Sequence, residues 1–520
     1  MKKYYVTTPI YYANGDPHIG HAYSSFIADV IARAKRLNGY QVKFSTGTDE
    51  NGQKMIQKAE SEGKEVLSYL DEISASFKNN WDKLQITYTD YIRTTEPRHH
   101  EFVRKMVVKS YENGDIYKGK YEGLYCVGCE AFKKPGDLTP EGLCPDHLKA
   151  PNVISEENYF FQLSKYEDQL KDFYKKNPEF IVPDFRFNEI KSFVEAGLED
   201  FSVSRKGNDF RIKFPYGEDE VVYIWYDALF NYLTVCENGD EDFWPADLHV
   251  MAKDILRFHG IFWPAMLKST GYELPKSIFC TGYLTVDGQK MSKSLGNVVE
   301  PLKVVEKYGR DAIIFYLFYD VNIGNDGDFS WERFRGVYDS MLLGGWGNLV
   351  SRVTKLSEKN GINTVQVSPE QEKLLKQIAN NIGLENELVE LLFNGFDSKI
   401  YENYFDKGLL SKFLKDWYGL VQLANKYVDE TQPWTKLKNE DKKDLGIEQL
   451  QFLLYLIKNI ALLSSPFLIE GFQAIQNTYN NEQFSAIDST KTTEGFKQFF
   501  DTKNFKVNLT PSLLYNRVEH

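Results

Sequence analysis

The stretch Tyr4–His21, YYVTTPIYYANGDPHIGH, decides the fold. Tyr4 to Ile10 has the aromatic and β-branched content of a strand. Asp16-Pro17 has the form of a helix start, with Asp16 as N-cap and Pro17 at the first helical position. Ile19, Ala22, Phe26, Ile27, Val30 and Ile31 then repeat at helical spacing, Asn38-Gly39 closes the helix, and Val42 to Ser45 reads as a second strand. Strand, helix and strand in this order predict a right-handed crossover and a parallel sheet.

Outward from this unit, the pattern changes near Tyr117 to short segments around a Cys/His cluster. An amphipathic helix is predicted near Ser164 to Lys176, and the stretch 117–217 reads as an insertion into a first domain made of 1–116 and 218–275. Strand-like Val221 to Tyr226 and the helical segment Leu256 to Leu267 resume the α/β pattern. Residues 276–330 form a linker region with a glycine-bearing loop at Asp287-Gly288. Residues 331–475 have helical period, and 476–520 reads as an irregular tail.

A length of 520 residues allows two to four domains by the usual length prior. With 42% apolar residues, including 8 Trp, 33 Tyr and 36 Phe, the chain can fill several cores, which excludes disordered and fibrous classes. Its 62 basic and 74 acidic residues leave a net charge of −12, so any surface for nucleic acid must be local. Five cysteines exclude a disulfide framework. The N-terminus lacks the apolar run of a signal peptide, and no stretch approaches the roughly 18 apolar residues of a membrane span. The expectation is a cytoplasmic chain, and a monomer, since no further dimerisation domain is recognisable before His520.

Two motifs carry phosphate chemistry. His18 and His21 lie three residues apart on the first turn of a helix, where free N–H groups and the dipole attract anions. Gly20 between them would let a flat base approach the backbone. Far downstream, Lys290-Met291-Ser292-Lys293-Ser294 places two lysines at i and i+3 on a glycine-flanked loop that can close over a triphosphate. Either motif alone is commonly surface chemistry; their combination in one chain changes that weight. Cys126-Val-Gly-Cys129 and Cys144-Pro-Asp-His147, separated by 14 residues, form two knuckles at tetrahedral spacing, a Cys3His set suited to a closed, structural Zn²⁺ site. Asn348 and Arg352, at i and i+4, project from one helix face and suit the edge of an unstacked base, with Trp434 as a stacking plane.

The His18-Ile-Gly-His21 and Lys290-Met-Ser-Lys-Ser294 pair resembles the signature of class I aminoacyl-tRNA synthetases. Tyr12-Ala13-Asn14-Gly15, Gly47-Thr48-Asp49-Glu50-Asn51-Gly52, Trp225-Tyr226-Asp227-Ala228, Lys253-Asp254-Ile255 with Phe258-His259, and Asn348 with Arg352 narrow the likeness to methionyl-tRNA synthetases, over nearly the whole chain. The resemblance implies an α/β architecture: a Rossmann-type parallel-sheet catalytic domain with a zinc-knuckle insertion, followed by an all-α helical-bundle anticodon-binding domain. It implies a ligase that adenylates L-methionine with Mg²⁺-ATP and esterifies the terminal adenosine of methionine tRNA. His18, His21, Lys290 and Lys293 would be catalytic, and Gly20 and Ser292 would join them in binding ATP. Ile10, Tyr12, Trp225, Ala228, Leu229, Tyr232, Ile255 and His259 would surround the methionine side chain, and Asp49 would bind its amino group. Leu229 stands where the family commonly has proline. Asp227 and Asp254 would orient ribose, ammonium or metal. Asn348, Arg352 and Trp434 would read the anticodon. A non-catalytic tRNA- or RNA-binding relic, a regulatory zinc module and a nucleotidyltransferase are the competing classes, and intact His18, His21, Lys290 and Lys293 argue against a relic.

Overall fold

Six parallel strands build the central sheet of the computed structural model: β1 (Lys3–Tyr12), β2 (Gln41–Asp49), β3 (Asp90–Arg93), β4 (Ile181–Val182), β5 (Leu248–Ala252) and β6 (Ile278–Thr281). Their order is β3-β2-β1-β5-β6-β4. The structure describes residues 2–126, 131–133, 136, 138–145, 148–207, 209–291, 296–493 and 495–518. The winding reverses between β1 and β5, so a crevice opens outside the carboxyl ends of these strands, where open α/β sheets bind ligands.

Helix α1 (Ile19–Leu37) follows β1 and is buried along almost its entire length, because the sheet covers one side and the helical domain the other. Burial takes in charged residues. Asp29 accepts from Arg33 Nε at 2.8 Å and Arg310 at 2.7 Å through one oxygen, and from the Thr87 amide and hydroxyl at 2.8 and 2.7 Å through the other. The guanidiniums offset the burial of this carboxylate and hold its pKa below the ordinary value. Arg310 also donates to the carbonyls of Leu84 and Phe467, and Arg33 to Ser489, so one cluster joins α1 to the helical domain.

The stretch 117–217 contributes a four-stranded antiparallel sheet, from Ile116–Cys126, Ala131–Lys133, Asn152–Phe161 and Phe201–Ser202. It also supplies β4 to the central sheet, so it is threaded through the first domain rather than standing apart from it. Strand-like Val221 to Tyr226 divides: Glu220–Val222 pairs with Ser204–Lys206, and Ile224–Ala228 is a helical turn. In 276–330, β6 belongs to the central sheet. After it, Leu284–Val286 and Gln289–Lys290 form a hairpin whose turn residues Asp287 and Gly288 both have positive φ, the geometry of a tight two-residue hairpin.

The helical domain centres on α2 (Asn348–Lys359), α3 (Leu410–Thr431) and α4 (Lys443–Ser464). Before α2, Tyr338–Gly347 runs in wide π-type turns. A Cβ at Gly345 would lie 2.8 Å from the Tyr418 hydroxyl, and one at Gly347 would lie 3.3 Å from Tyr515, so these glycines serve close approach within the protein. The stretch expected as an irregular tail is instead built in. Asn504–Lys506 pairs antiparallel with Thr364–Gln366, and Phe496–Asp501 is a helix packed into the core. The buried Lys458 of α4 donates to the carbonyls of Phe499, Phe500 and Thr502 at 2.6, 3.1 and 2.8 Å, and burial pushes its pKa well down. Among the described residues, no helix is long and apolar enough to cross a membrane.

Candidate active site

The expected helix start moves by two residues. Asp16 accepts from the Ser76 hydroxyl at 2.8 Å instead of capping, and His18 is the N-cap of α1. Its Nδ1 accepts from the Gly20 amide at 3.1 Å, while His21 Nδ1 accepts from the His18 amide at 3.2 Å. Ile19 N–H donates to the Val299 carbonyl at 3.1 Å. The amides of Ile19 and Gly20 are therefore committed and are not the free first-turn donors expected of a helix start. An Nδ1 that accepts carries no proton, so each neutral ring bears its hydrogen on Nε2, the N–H it can offer to a phosphate oxygen. The rings stack with centroids 3.8 Å apart. Burial, and secondarily His18, holds the His21 pKa well below its usual value.

His21 rests on two aromatic residues that sequence reasoning passed over. Tyr11 meets it edge-on at 5.2 Å and Phe77 at 5.5 Å, and the Tyr11 hydroxyl donates to the His21 carbonyl at 3.1 Å. Tyr11 sits in the quoted opening stretch, but alternation along a strand does not reveal that its ring turns toward α1.

The two distant motifs meet. The methyl of Met291 lies 3.5 Å from the position a Cβ would occupy on Gly20, and the His18 ring lies at 3.0 Å. Gly20 thus makes room for His18 and for the lysine-bearing hairpin. Lys290 pairs through its backbone with Thr285 on that hairpin. Ser292 and Lys293 lie outside the described residues.

Of the residues expected around the amino acid, Tyr12, Trp225 and Ile255 share one apolar cluster and Tyr232 bonds His259, whereas Ile10 and Leu229 belong to two other clusters. A register shift between Thr7 and Ile10 bends β1 before its end, and Tyr12 then pairs with Asp49 at the end of β2. Tyr12 meets Trp225 edge-on at 6.4 Å, and Ile255 packs against the same cluster. Trp225 stacks on Phe258 at 3.7 Å. The hydroxyl of Tyr232 lies 2.7 Å from His259 Nε2, and His259 Nδ1 lies 3.0 Å from the Ile255 carbonyl. Burial lowers the His259 pKa to about 4. Ile10 packs against the buried cluster that holds Tyr5 and Ile92; Ala228 is buried in the helical turn after Trp225; Leu229 belongs to the core that holds Phe230 and Leu233.

Behind Asp49, a second network fixes the exit of β2. Glu50 accepts from Thr48 and Arg93 at 2.7 and 2.8 Å, and Asn51 donates to Asp227 at 3.0 Å. Asp227 is fully buried and its other oxygen meets His99 Nε2 at 3.1 Å, so it positions Asn51. Lys253 pairs with Asp326 at 2.8 Å, tying the end of β5 to the linker region.

Cys126 and Cys144 are both buried. The Cys144 amide donates to the Lys149 carbonyl at 2.9 Å, and its carbonyl accepts from the Leu148 amide at 2.8 Å. Cys129 and His147 lie outside the described residues. In the helical domain, Asn348 is exposed at the start of α2, and the Arg352 guanidinium lies 5.7 Å from the Trp434 ring centre.

Comparison with known proteins agrees with this geometry. The family model "tRNA synthetases class I (M)" matches residues 4–150 and 147–354, and "Anticodon binding domain of methionyl tRNA ligase" matches 381–519. The methionine–tRNA ligase of Thermotoga maritima is 42% identical over 472 residues, 89% of this chain and 73% of that protein. The chloroplastic/mitochondrial methionine–tRNA ligase of Arabidopsis thaliana is 39% identical, over 89% of this chain and 74% of that protein. The structure of Mycobacterium tuberculosis methionyl-tRNA synthetase in complex with methionyl-adenylate superposes with a TM-score of 0.88 at 33% identity, covering 99% of this chain and 100% of that one.

Proposed function

The chain belongs to the class I methionyl-tRNA synthetases, and from that premise we propose how its residues divide the work. It is an ATP-dependent methionine–tRNA ligase. The methionine carboxylate attacks the α-phosphorus of ATP in line, pyrophosphate leaves, and methionyl-adenylate forms. A ribose hydroxyl of the terminal adenosine of the tRNA then attacks the adenylate carbonyl and AMP leaves. No covalent enzyme intermediate is needed, so catalysis is positioning plus stabilisation of phosphoryl charge.

His18 and His21 donate through Nε2–H to phosphate oxygens at one end of the triphosphate; Lys290 and Lys293 neutralise the departing pyrophosphate at the other, with Ser292 and Gly20 completing the ATP site. The observation that supports this most is the Met291 methyl lying over Gly20, because it brings both motifs to one place. Asp49 takes the ammonium of methionine. Ile10, Tyr12, Trp225, Ala228, Leu229, Tyr232, Ile255 and His259 enclose its thioether, where sulfur meets aromatic edges favourably. Asn348, Arg352 and Trp434 read an anticodon base.

The chemistry of the donor set fits zinc: two buried thiols, Cys126 at the end of a strand of the small antiparallel sheet and Cys144 outside it, with Cys129 and His147 completing Cys3His. Bound there, zinc would be structural, cross-linking a sheet too small for a deep core. Mg²⁺ would accompany ATP. A cytoplasmic monomer completes the reading.

Methionine-dependent exchange of pyrophosphate into ATP tests it. Wild-type protein should catalyse exchange, and Lys293→Ala should lower its rate far more than methionine affinity. Absence of exchange from the wild type would leave an RNA-binding relic, and exchange independent of any amino acid would leave a nucleotidyltransferase.

A further inference from the structure

Behind the pocket stands an imidazole that no motif singles out. His249 lies in β5, faces Thr7 of β1 across the parallel pairing, and is fully buried. Three neighbours hold its ring. Trp263 Nε1–H donates to His249 Nε2 at 3.2 Å; His249 Nδ1 lies 2.7 Å from the Thr7 hydroxyl; the Tyr232 ring lies against it with centroids 4.4 Å apart and planes at 36°.

These contacts determine the proton. An indole nitrogen only donates, so Nε2 is bare and the hydrogen sits on Nδ1, donating to the Thr7 oxygen. A second proton would set N–H against N–H at Trp263. Burial acts in the same direction and depresses the pKa of His249. With a different partner on each nitrogen, the ring has one orientation, and a flip would lose both bonds.

The same logic runs through the pair in front. A carbonyl only accepts, so His259 Nδ1 carries the hydrogen donated to Ile255, and His259 Nε2 accepts from the Tyr232 hydroxyl. The phenol is thus held at its tip by His259 and against its face by His249. The tip bond alone leaves the ring free to tilt about its long axis; the imidazole at 4.4 Å, backed by the Trp263 indole that it binds and that lies 6.0 Å from the phenol, removes that freedom.

We propose that His249 is a positioning residue for amino-acid specificity: locked between Thr7 and Trp263, it sets the plane of the Tyr232 ring and so the width of the slot that takes the thioether side chain. This rests on the assignment of Tyr232 and His259 to the methionine pocket. A ring free to tilt holds methionine less tightly and admits a longer side chain, while the nucleotide end is untouched.

The test uses pyrophosphate exchange with the full-length enzyme and three variants: His249→Asn, which keeps a donor toward Thr7 but gives Trp263 no acceptor; His249→Phe, which keeps a ring face and loses both bonds; and Tyr232→Phe. Methionine, ethionine and ATP are varied in turn. Both His249 variants should raise KM for methionine about tenfold and shrink the preference for methionine over ethionine about tenfold, as expected for losing at least one buried hydrogen bond and one methylene of discrimination. KM for ATP and kcat should stay within about twofold. If Tyr232→Phe raises KM for methionine while the His249 variants keep wild-type selectivity, the positioning role fails. If Tyr232→Phe itself leaves KM for methionine unchanged, the pocket assignment beneath it fails. A parallel loss of kcat and of affinity for both substrates in the His249 variants would reduce the residue to a core histidine and overturn the proposal.

Discussion

Gly20→Ala isolates the nucleotide end of the site. The added methyl would sit 3.0 Å from His18 Cε1, 3.1 Å from His18 Nδ1 and 3.5 Å from the Met291 methyl. The first two separations are too short, so the imidazole must shift by a few tenths of an ångström. It cannot do so freely, because the Gly20 amide holds its Nδ1 at 3.1 Å and the ring stacks on His21 at 3.8 Å. Displacing His18 costs about 0.5–1.5 kcal/mol in an off-rotamer ring. Alanine returns about 0.5–1 kcal/mol of helix preference over glycine. Folding stability should therefore change by less than about 1 kcal/mol. The reaction is less forgiving: misplacing one donor to the transition state should lower the exchange rate roughly 10- to 100-fold. Pyrophosphate exchange at saturating substrates, with a thermal melt alongside, separates the two effects. Exchange within about twofold of wild type would refute the placement of His18 at the reacting phosphate, and a collapse of the melting temperature would assign Gly20 to packing alone.

Three further outcomes follow from the same physics. Asp29→Asn leaves Arg33 and Arg310 buried without their carboxylate and should destabilise the chain by about 3–5 kcal/mol in a guanidinium titration, whereas a change below about 1 kcal/mol would show the cluster to be incidental. Trp434→Ala should weaken tRNA binding by about 1–3 kcal/mol while exchange without tRNA is unchanged, and equal damage to both would make Trp434 a packing residue. His21, His249 and His259 are all held neutral by burial, the last with a pKa of about 4. The unfolded chain binds these protons first, so their stability contribution is present above about pH 6.5 and is lost as pH falls from there toward 4. Asp311, pushed up to about 7 by burial and by Glu470, opposes them with one proton. Urea midpoints should fall between about pH 6.5 and 5, and a flat profile would contradict the neutral imidazoles.

The βαβ opening was legible because β1 and α1 obey local rules: apolar spacing, an Asn-Gly stop and turn chemistry. Its exact start was not, since an imidazole is an unusual cap and its acceptor role depends on being neutral. Strand β4 escaped notice because two residues, Ile181 and Val182, carry no periodicity, and only their pairing with β6 marks them. The C-terminal stretch read as irregular from its Asn, Thr and Lys content, yet Phe496, Phe499, Phe500 and Phe505 bury it against distant helices. At the site, His18, His21 and the hairpin were visible as motifs. Tyr11, Phe77 and His249 were not, because their roles exist only once separate strands and helices lie side by side.

The amine of Lys458 sets an order of events during synthesis. Its three carbonyl partners belong to Phe499, Phe500 and Thr502, and roughly forty residues must leave the ribosome after Lys458 before they exist, a delay of a few seconds at about 5–20 residues per second. Until they arrive the charged amine keeps its water, and α4 cannot seat fully. The bundle can therefore close fully only after the short helix Phe496–Asp501 has emerged, and that segment acts as its latch.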